Sequence, residues 1–388
     1  MPVRTDATAF ALVVIVAPAI AGAAQPTGHP DVQPLGGASV DRPVQVEDPT
    51  SLGNADLDLD PVERFDVGPA DGVLDADPGW SVRSLNLYWE NDGTVPKVLS
   101  DSDRHYTNGS KIEVALNPSA GFANGVRELA DRLDPMPGAK VGAGLLVAQH
   151  IYTAFDIRIA TPPMTARPYA GYLYFGGFVQ RSNESVHDHL ELDIGVIGEW
   201  SGAESTQKFV HSVFPNQDKP RGWGTQLKNE LAINVRYQRS WKFQQAQIGR
   251  LQLDGIPRLG IDLGNVFIRA NADLTFRLGY NLPNDFGPGR LLDYADVTGT
   301  WGGDWGFYGF VRGGARGVAR NIFLDGNSFT NSRSVDKRYA VAELSAGLVG
   351  RCRWFEAGWS VTWLSEEFDT QGNGDSYGSL FARVAIPF

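Results

Sequence analysis

The chain has 388 residues, 45 glycines, one cysteine and 11% aromatic residues. A compact secreted domain more often uses disulfides, whereas glycine-eased strand curvature and aromatic girdles are typical of a β-barrel in a membrane. The formal net charge of −11 argues against a nucleic-acid partner, because phosphate binding needs clustered Lys and Arg.

The first 24 residues are organised like a secretory signal peptide. Arg4 supplies a positive charge, residues 9–20 form an apolar run too short to span a bilayer, and residues 21–24 are the small residues that precede a cleavage site. We therefore predict a cleaved signal peptide over 1–24, with an N-terminal membrane anchor as the alternative.

Residues 25–79 are rich in Asp, Glu, Pro and Gly, which predicts a flexible, acidic periplasmic tail. The alternation of Asp and Leu over 56–60 resembles a calcium-binding repeat. It lacks the glycine turns and the further repeats of such proteins, so a solvated tail is the preferred interpretation.

From residue 80 onward, hydrophobic residues alternate with polar ones, as in strands that have one face in lipid and the other in a polar lumen. The terminal Phe388 resembles the signal that the barrel-assembly machinery recognises, and we expect that machinery as a partner during insertion. The sequence predicts an all-β fold: a transmembrane antiparallel up-and-down β-barrel of about twelve strands in the bacterial outer membrane. The predicted strands cover 81–92, 106–117, 142–153, 169–182, 187–200, 228–242, 256–265, 270–280, 303–315, 338–350, 353–366 and 376–388.

One interval between strands has helical rather than strand periodicity. Residues 121–133 place apolar residues at helical spacing, which predicts a short amphipathic helix at the periplasmic rim. We expect His187 and His189 to be solvated in a periplasmic turn, and Cys352 to be a buried or lipid-facing small residue.

If both ends of the barrel are periplasmic, the connections that follow odd-numbered strands lie outside the cell, and polar residues gather there. His150 is the predicted base, because its ordinary pKa of about 6.5 lets it accept a proton from water. Asp92 with Asn91, and the oxygens of Thr107 and Gly109, are the hard ligands that Ca²⁺ prefers. A cation held by Asp92, Thr107 and Gly109 could polarise an ester carbonyl.

Each of these residues also has an ordinary structural interpretation. A histidine near a strand end is often a polar lumen residue, and Asn-Asp or Thr-Asn-Gly sequences are common turn signals. His105 is the close competitor of His150 for the role of base. No recognisable motif places a serine beside His150.

Seven blocks of residues, in order through nearly the whole barrel, resemble the outer-membrane lipid A 3′-O-deacylase family of the LpxR type. These blocks are Glu90-Asn91-Asp92, Asp103-Arg104-His105-Tyr106-Thr107-Asn108-Gly109, Gln149-His150-Ile151-Tyr152-Thr153, Arg167-Pro168-Tyr169-Ala170-Gly171, Gly264-Asn265-Val266, Asp285-Phe286-Gly287-Pro288 and Glu367-Phe368.

The resemblance implies a Ca²⁺-dependent hydrolase that removes the 3′-linked acyloxyacyl chain of lipid A from the outer leaflet. The catalytic residues of the family fall on Asn91, Asp92, Thr107 and His150. A further acidic family residue falls on Asp156, which is aspartate where the family has glutamate.

A lipid A hydrolase also needs contacts for the phosphates of lipopolysaccharide, and Arg and Lys pair naturally with phosphate. The predicted substrate-binding residues are Lys97, Arg104, Arg167, Tyr169 and Arg221. Two alternatives stay open: a non-enzymatic barrel, such as a small pore or a surface-binding protein, and a different lipid-modifying enzyme, such as a phospholipase. An open barrel interior would favour the pore.

Overall fold

The structure, a computed structural model, describes residues 79–92, 105–213, 218–243, 246–291, 295–299 and 305–386. The predicted signal peptide, the predicted tail apart from its last residue, and Lys97, Arg104 and Phe388 lie outside the described residues.

The described residues form one closed, antiparallel β-barrel. Each strand hydrogen-bonds to its neighbours in chain order, β13 returns to pair with β1, and β6 pairs with β8, so twelve strands close the wall while β7 forms only a short hairpin with β8. The strands are β1 (Ser81–Asn91), β2 (Tyr106–Asn117), β3 (Lys140–Tyr152), β4 (Ala170–Ser182), β5 (Val186–Ile197), β6 (Glu230–Trp241), β7 (Ala246–Ile248), β8 (Leu251–Gly264), β9 (Phe267–Tyr280), β10 (Trp305–Asn321), β11 (Ala340–Cys352), β12 (Phe355–Leu364) and β13 (Asp375–Ala385).

The predicted barrel is therefore confirmed, and every predicted span overlaps one strand of the wall. The largest difference between a predicted and an observed strand end is in β10, which continues to Asn321 although the predicted strand ends at 315. It continues because it stays paired with β9 as far as Phe267, although its upper part is rich in Arg and Gly. We call the rim where β1 ends and β2 begins the upper rim, and the opposite one the lower rim.

Strand β5 shows how the alternation builds the wall. Leu190, Leu192 and Ile194 are exposed on the outer face, as a lipid-facing surface requires, while the intervening side chains are buried inside the barrel. The prediction that His187 and His189 are solvated was wrong, because both belong to this inward-facing set. The Nε2 atom of His189 lies 3.0 Å from Glu191, and His187 lies 3.6 Å from Asp296.

The predicted helix is α1 (Ala120–Asp131), between β2 and β3, and Ser119 caps its N-terminus by accepting a hydrogen bond from the Phe122 amide. Two helices at the upper rim were not predicted, namely α2 (Ala203–Val213) and α3 (Ile322–Asp325). Among the described residues, no helix combines the length and the apolar character needed to cross a bilayer.

A chain segment between β9 and β10 fills the lumen. We call residues 281–291 and 295–299 the lumen segment. The strands that flank it end and begin at the lower rim, yet the Leu291 amide donates to Glu90, at 3.2 Å, one residue from the upper end of β1. Further along the chain, the segment exchanges hydrogen bonds with Gln180 of β4, through the Ala295 carbonyl and the Val297 amide, each at 2.9 Å.

Ion pairs also lie inside the barrel. Arg236 contacts Glu191 at 2.5 Å and Asp262 at 2.9 Å, and Arg277 joins Asp254 of the wall to Asp285 of the lumen segment. Such groups are tolerated inside a barrel because each charge meets a hydrogen-bonding partner of opposite sign. Among the described residues, the lumen segment and these ion pairs cross the interior, an arrangement that does not favour a pore.

Candidate functional site

The site is built on one cross-strand row near the upper rim. Glu90 of β1 is registered with Gly109 of β2, and Gly109 with His150 of β3. Because residues in register point to the same face, all three face the lumen. Glu90 is 1% exposed and His150 is 0% exposed, so both are buried residues of the lumen.

Tyrosine hydroxyl groups hold both nitrogens of the His150 ring. The Tyr106 hydroxyl lies 3.4 Å from Nδ1 and donates to Glu90 at 3.0 Å, while the Tyr174 hydroxyl lies 3.3 Å from Nε2. Tyr106 reaches this position by crossing Gly109, where an added Cβ would overlap its hydroxyl. Gly109 is thus a residue of β2, as the predicted strand 106–117 implies, and its lack of a side chain makes room for a tyrosine.

Glu90, Tyr106 and Tyr174 were missed as site residues, although the first two lie within motifs singled out in the sequence. Strand alternation could have identified Glu90. Residues two positions apart in a strand point to the same face, so Glu90 shares the face of Asp92 in the predicted strand 81–92.

Asn91 and Thr107 meet at the end of β1. The register between β2 and β3 shifts between Tyr106 and Asn108, so Thr107 occupies a β-bulge. The Asn91 side-chain amide donates to the Thr107 carbonyl at 2.7 Å, and the Thr107 hydroxyl lies 2.7 Å from that of Thr153. Asp92 follows directly and is 5% exposed.

The predicted calcium ligands agree with Ca²⁺ in their chemistry, since all offer oxygen, but they carry little charge. The part of the chain that the structure describes contains no group of three or more His, Cys, Asp or Glu residues that could hold a metal ion. Asp92 is the one anionic residue of the predicted set, whose other members, Asn91, Thr107 and Gly109, offer neutral oxygens.

Asp156 lies in the connection between β3 and β4 and is bound to Arg158. Its carboxylate accepts from the Arg158 guanidinium at 2.9 and 2.8 Å and from the Arg158 amide at 2.9 Å. These hydrogen bonds lower the pKa of Asp156 to about 2. The carboxylate of Asp156 is thus already paired with the guanidinium of Arg158.

His105, the competitor of His150, has a clear structural role. Its Nδ1 atom lies 2.9 Å from Asp375 at the start of β13, and its carbonyl accepts from the Thr153 amide at 3.1 Å. Its φ of +66° is unusual for a residue other than glycine. His105 therefore ties β2, β3 and β13 together at the rim.

The predicted substrate-binding residues have different surroundings. Arg167 is buried, donates to Glu367 at 2.6 Å and lies over the Tyr152 ring at 4.7 Å. Tyr169 is buried against Trp223, with ring centroids 5.3 Å apart, whereas Arg221 is exposed. Their contacts with substrate stay predictions.

The barrel resembles solved outer-membrane structures. LpxR from Salmonella typhimurium is 21% identical, with a TM-score of 0.64, and the match covers 78% of this chain and 100% of that one. The β-domain of the Bordetella autotransporter Brka is 10% identical, with a TM-score of 0.41, over 79% of this chain and 99% of that one. No curated protein sequence matched the chain.

A family model agrees with the first of these structures. The model described as "Outer membrane protein LpxR" matches residues 72–386, which include the whole barrel wall. The chain therefore belongs to the LpxR family of outer-membrane proteins.

Proposed function

We propose that this protein is a lipid A deacylase, an outer-membrane hydrolase that removes the 3′-linked acyloxyacyl chain from lipid A, with the upper rim facing the outside of the cell. Membership of the LpxR family supports the activity. The observation that carries the site assignment is the position of His150, held inside the upper rim in one row with Glu90 and next to the paired Asn91 and Thr107.

Hydrolysis of an ester needs a base for the attacking water and positive charge or donors for the oxyanion. In the proposed reaction, His150 takes a proton from water, the water oxygen attacks the carbonyl carbon, and the protonated imidazole returns that proton to the leaving alkoxide. In this reaction a water molecule takes the place of the Tyr174 hydroxyl, whose contact with Nε2 is long, at 3.3 Å.

Calcium belongs to the same proposal. Asp92, with oxygens of Asn91, Thr107 and Gly109, would hold the ion, and Asp156 is the further candidate ligand. A bound Ca²⁺ supplies Lewis-acid stabilisation of negative charge on the carbonyl oxygen. With so few anionic ligands, we expect weak affinity, because the strength of calcium binding follows the charge of the ligand set.

A pore is the less favoured candidate, because the lumen segment and the ion pairs of Arg236 and Arg277 occupy the interior. For lipid A recognition we propose that Lys97, Arg104 and Arg221 contact phosphate groups. Insertion by the barrel-assembly machinery is likewise a proposal.

The test is mass spectrometry of lipid A after incubation with the purified, refolded protein, in calcium or in a chelator. We expect a calcium-dependent loss of mass equal to one acyloxyacyl unit, and its reduction by roughly 10²- to 10⁴-fold in His150→Ala, the range for a general base. His211→Ala is the matched control, since His211 lies on α2 and its Nδ1 atom is 2.6 Å from the Asp218 carbonyl oxygen. Unchanged lipid A in both conditions would contradict the proposal, and release of fatty acid from phospholipid alone would indicate a phospholipase.

A further inference from the structure

We propose that Glu90 and Tyr106 are positioning residues that fix the proton of His150 on Nδ1 and so leave Nε2 as the basic nitrogen. This inference rests on the proposed function for its meaning, but it concerns the state of one imidazole ring, which can be measured without any substrate.

The first step concerns Glu90, which is buried and surrounded by donors. Its Oε1 atom accepts from the Leu291 amide and from the Ser379 hydroxyl, each at 3.2 Å, and its Oε2 atom accepts from the Tyr106 hydroxyl at 3.0 Å. The Leu291 amide can only donate, so Oε1 must accept. An arrangement with three donors is the one that suits a carboxylate, because a carboxylate only accepts.

The second step follows the single hydroxyl hydrogen of Tyr106. Because Tyr106 donates it to Glu90, the hydroxyl can meet His150 only as an acceptor, at 3.4 Å from Nδ1. Nδ1 must then carry the proton. A neutral imidazole has one donor and one acceptor nitrogen, so Nε2 accepts from the Tyr174 hydroxyl at 3.3 Å.

The third step is the packing that keeps Tyr106 in place. Its ring lies 5.1 Å from that of Tyr377, edge to face, and 5.4 Å from that of Tyr152. Gly109 leaves room beneath it, and the lumen segment supports Glu90 from below through Leu291. The base is thus oriented by two residues of the wall and one backbone amide of the lumen segment.

The experiment is two-bond ¹H–¹⁵N correlation NMR of the full refolded chain with ¹⁵N-labelled histidine, at neutral pH, in which the His150 signals are assigned by their absence from His150→Gln. We expect the Nδ1-protonated tautomer of His150 in the wild type. Tyr106→Phe and Glu90→Gln should convert it to a mixture or to the Nε2-protonated form. Tyr172→Phe is the matched control: its ring stacks on His150 at 6.0 Å, and its buried hydroxyl has no hydrogen-bond partner among the described residues.

Heat-modifiability on gels establishes that each variant is folded, and two independent variants keep the test valid if one is not. Activity gives the second readout: Tyr106→Phe should lower kcat roughly 10- to 100-fold with little change in KM, as for other groups that orient a ligand or base. An Nε2-protonated wild type, or a tautomer that neither variant changes, would overturn the inference. A wild type with the expected tautomer but no action on lipid A would instead contradict the proposed function.

Discussion

The guanidinium of Arg167 and the carboxylate of Glu367 meet at 2.6 Å although 200 residues separate them in the chain. This pair, with side chains 1% and 12% exposed, joins the β3–β4 connection to the β12–β13 connection. We expect Arg167→Ala to lower the free energy of unfolding by about 3–5 kcal/mol, because it leaves a largely buried carboxylate without its cation. Urea unfolding followed by tryptophan fluorescence measures this, and the double variant with Glu367→Ala should lose less than the sum of the two single variants. Unchanged stability with a raised KM for lipid A would instead assign Arg167 to phosphate binding.

The same pair predicts a dependence of stability on pH. Burial opposes ionisation of Glu367, but the charge and hydrogen bond of Arg167 outweigh it and lower the pKa of Glu367. A carboxyl group with a lowered pKa contributes stability above its unfolded pKa of about 4.3 and loses that contribution as the pH falls through the folded pKa. Unfolding midpoints measured across the acidic range should therefore fall more steeply below that value in the wild type than in Glu367→Gln. Parallel curves would contradict this account.

Gly109 can be tested by adding a single methyl group. In Gly109→Ala the new Cβ would overlap the Tyr106 hydroxyl and lie 2.8 Å from the Leu291 side chain, so Tyr106 must move away from His150. We expect a loss of about 1–3 kcal/mol of stability and at least a tenfold loss of lipid A hydrolysis. Gly313→Ala in β10 is the control, because its Cβ would meet nothing within 4 Å. Equal behaviour of the two variants would remove the role assigned to Gly109.

Arg158 would compete with a calcium ion for the carboxylate of Asp156, so it should affect the apparent affinity for calcium. If Asp156 is a ligand, Arg158→Ala should lower the calcium concentration that gives half-maximal activity, because the carboxylate no longer has to leave the guanidinium that it contacts at 2.8 Å. Asp156→Asn should raise that concentration. A titration of activity against calcium that gives the same midpoint in all three proteins would exclude Asp156 from the ion site.

The filled lumen predicts that the protein does not conduct ions. Planar-bilayer recordings of the refolded wild type should show no steady channel conductance, since the lumen segment is bonded to Gln180 and Glu90 across the interior. An open porin of similar strand number serves as the positive control. Steady single-channel openings would favour the pore alternative.

Much of the wall was predictable, because strand alternation is a local property of sequence and each strand of the barrel repeats it. His150 and the pair of Asn91 and Thr107 could be placed at one rim by topology alone. What escaped prediction depends on partners distant in the chain. Residues 281–291 have the composition of a loop, and no local pattern shows that they turn inward to reach Glu90.

Two individual residues also have surroundings that depend on distant parts of the chain. Arg167 looks like a free cation until Glu367 is brought beside it. The sequence predicts a solvated turn at His189, because the first residue of β5 decides whether this side chain faces solvent or Glu191. In both cases the sequence specifies the side chain, while the closure of the barrel specifies its surroundings.

The lumen segment has a consequence for the cell that carries this protein. An outer membrane is a barrier against antibiotics and bile-type detergents, and every open barrel weakens that barrier in proportion to its copy number. In a barrel filled from its lower rim, the permeability of the membrane no longer depends on the number of copies. The abundance of a surface activity can therefore rise while the permeability of the envelope stays constant.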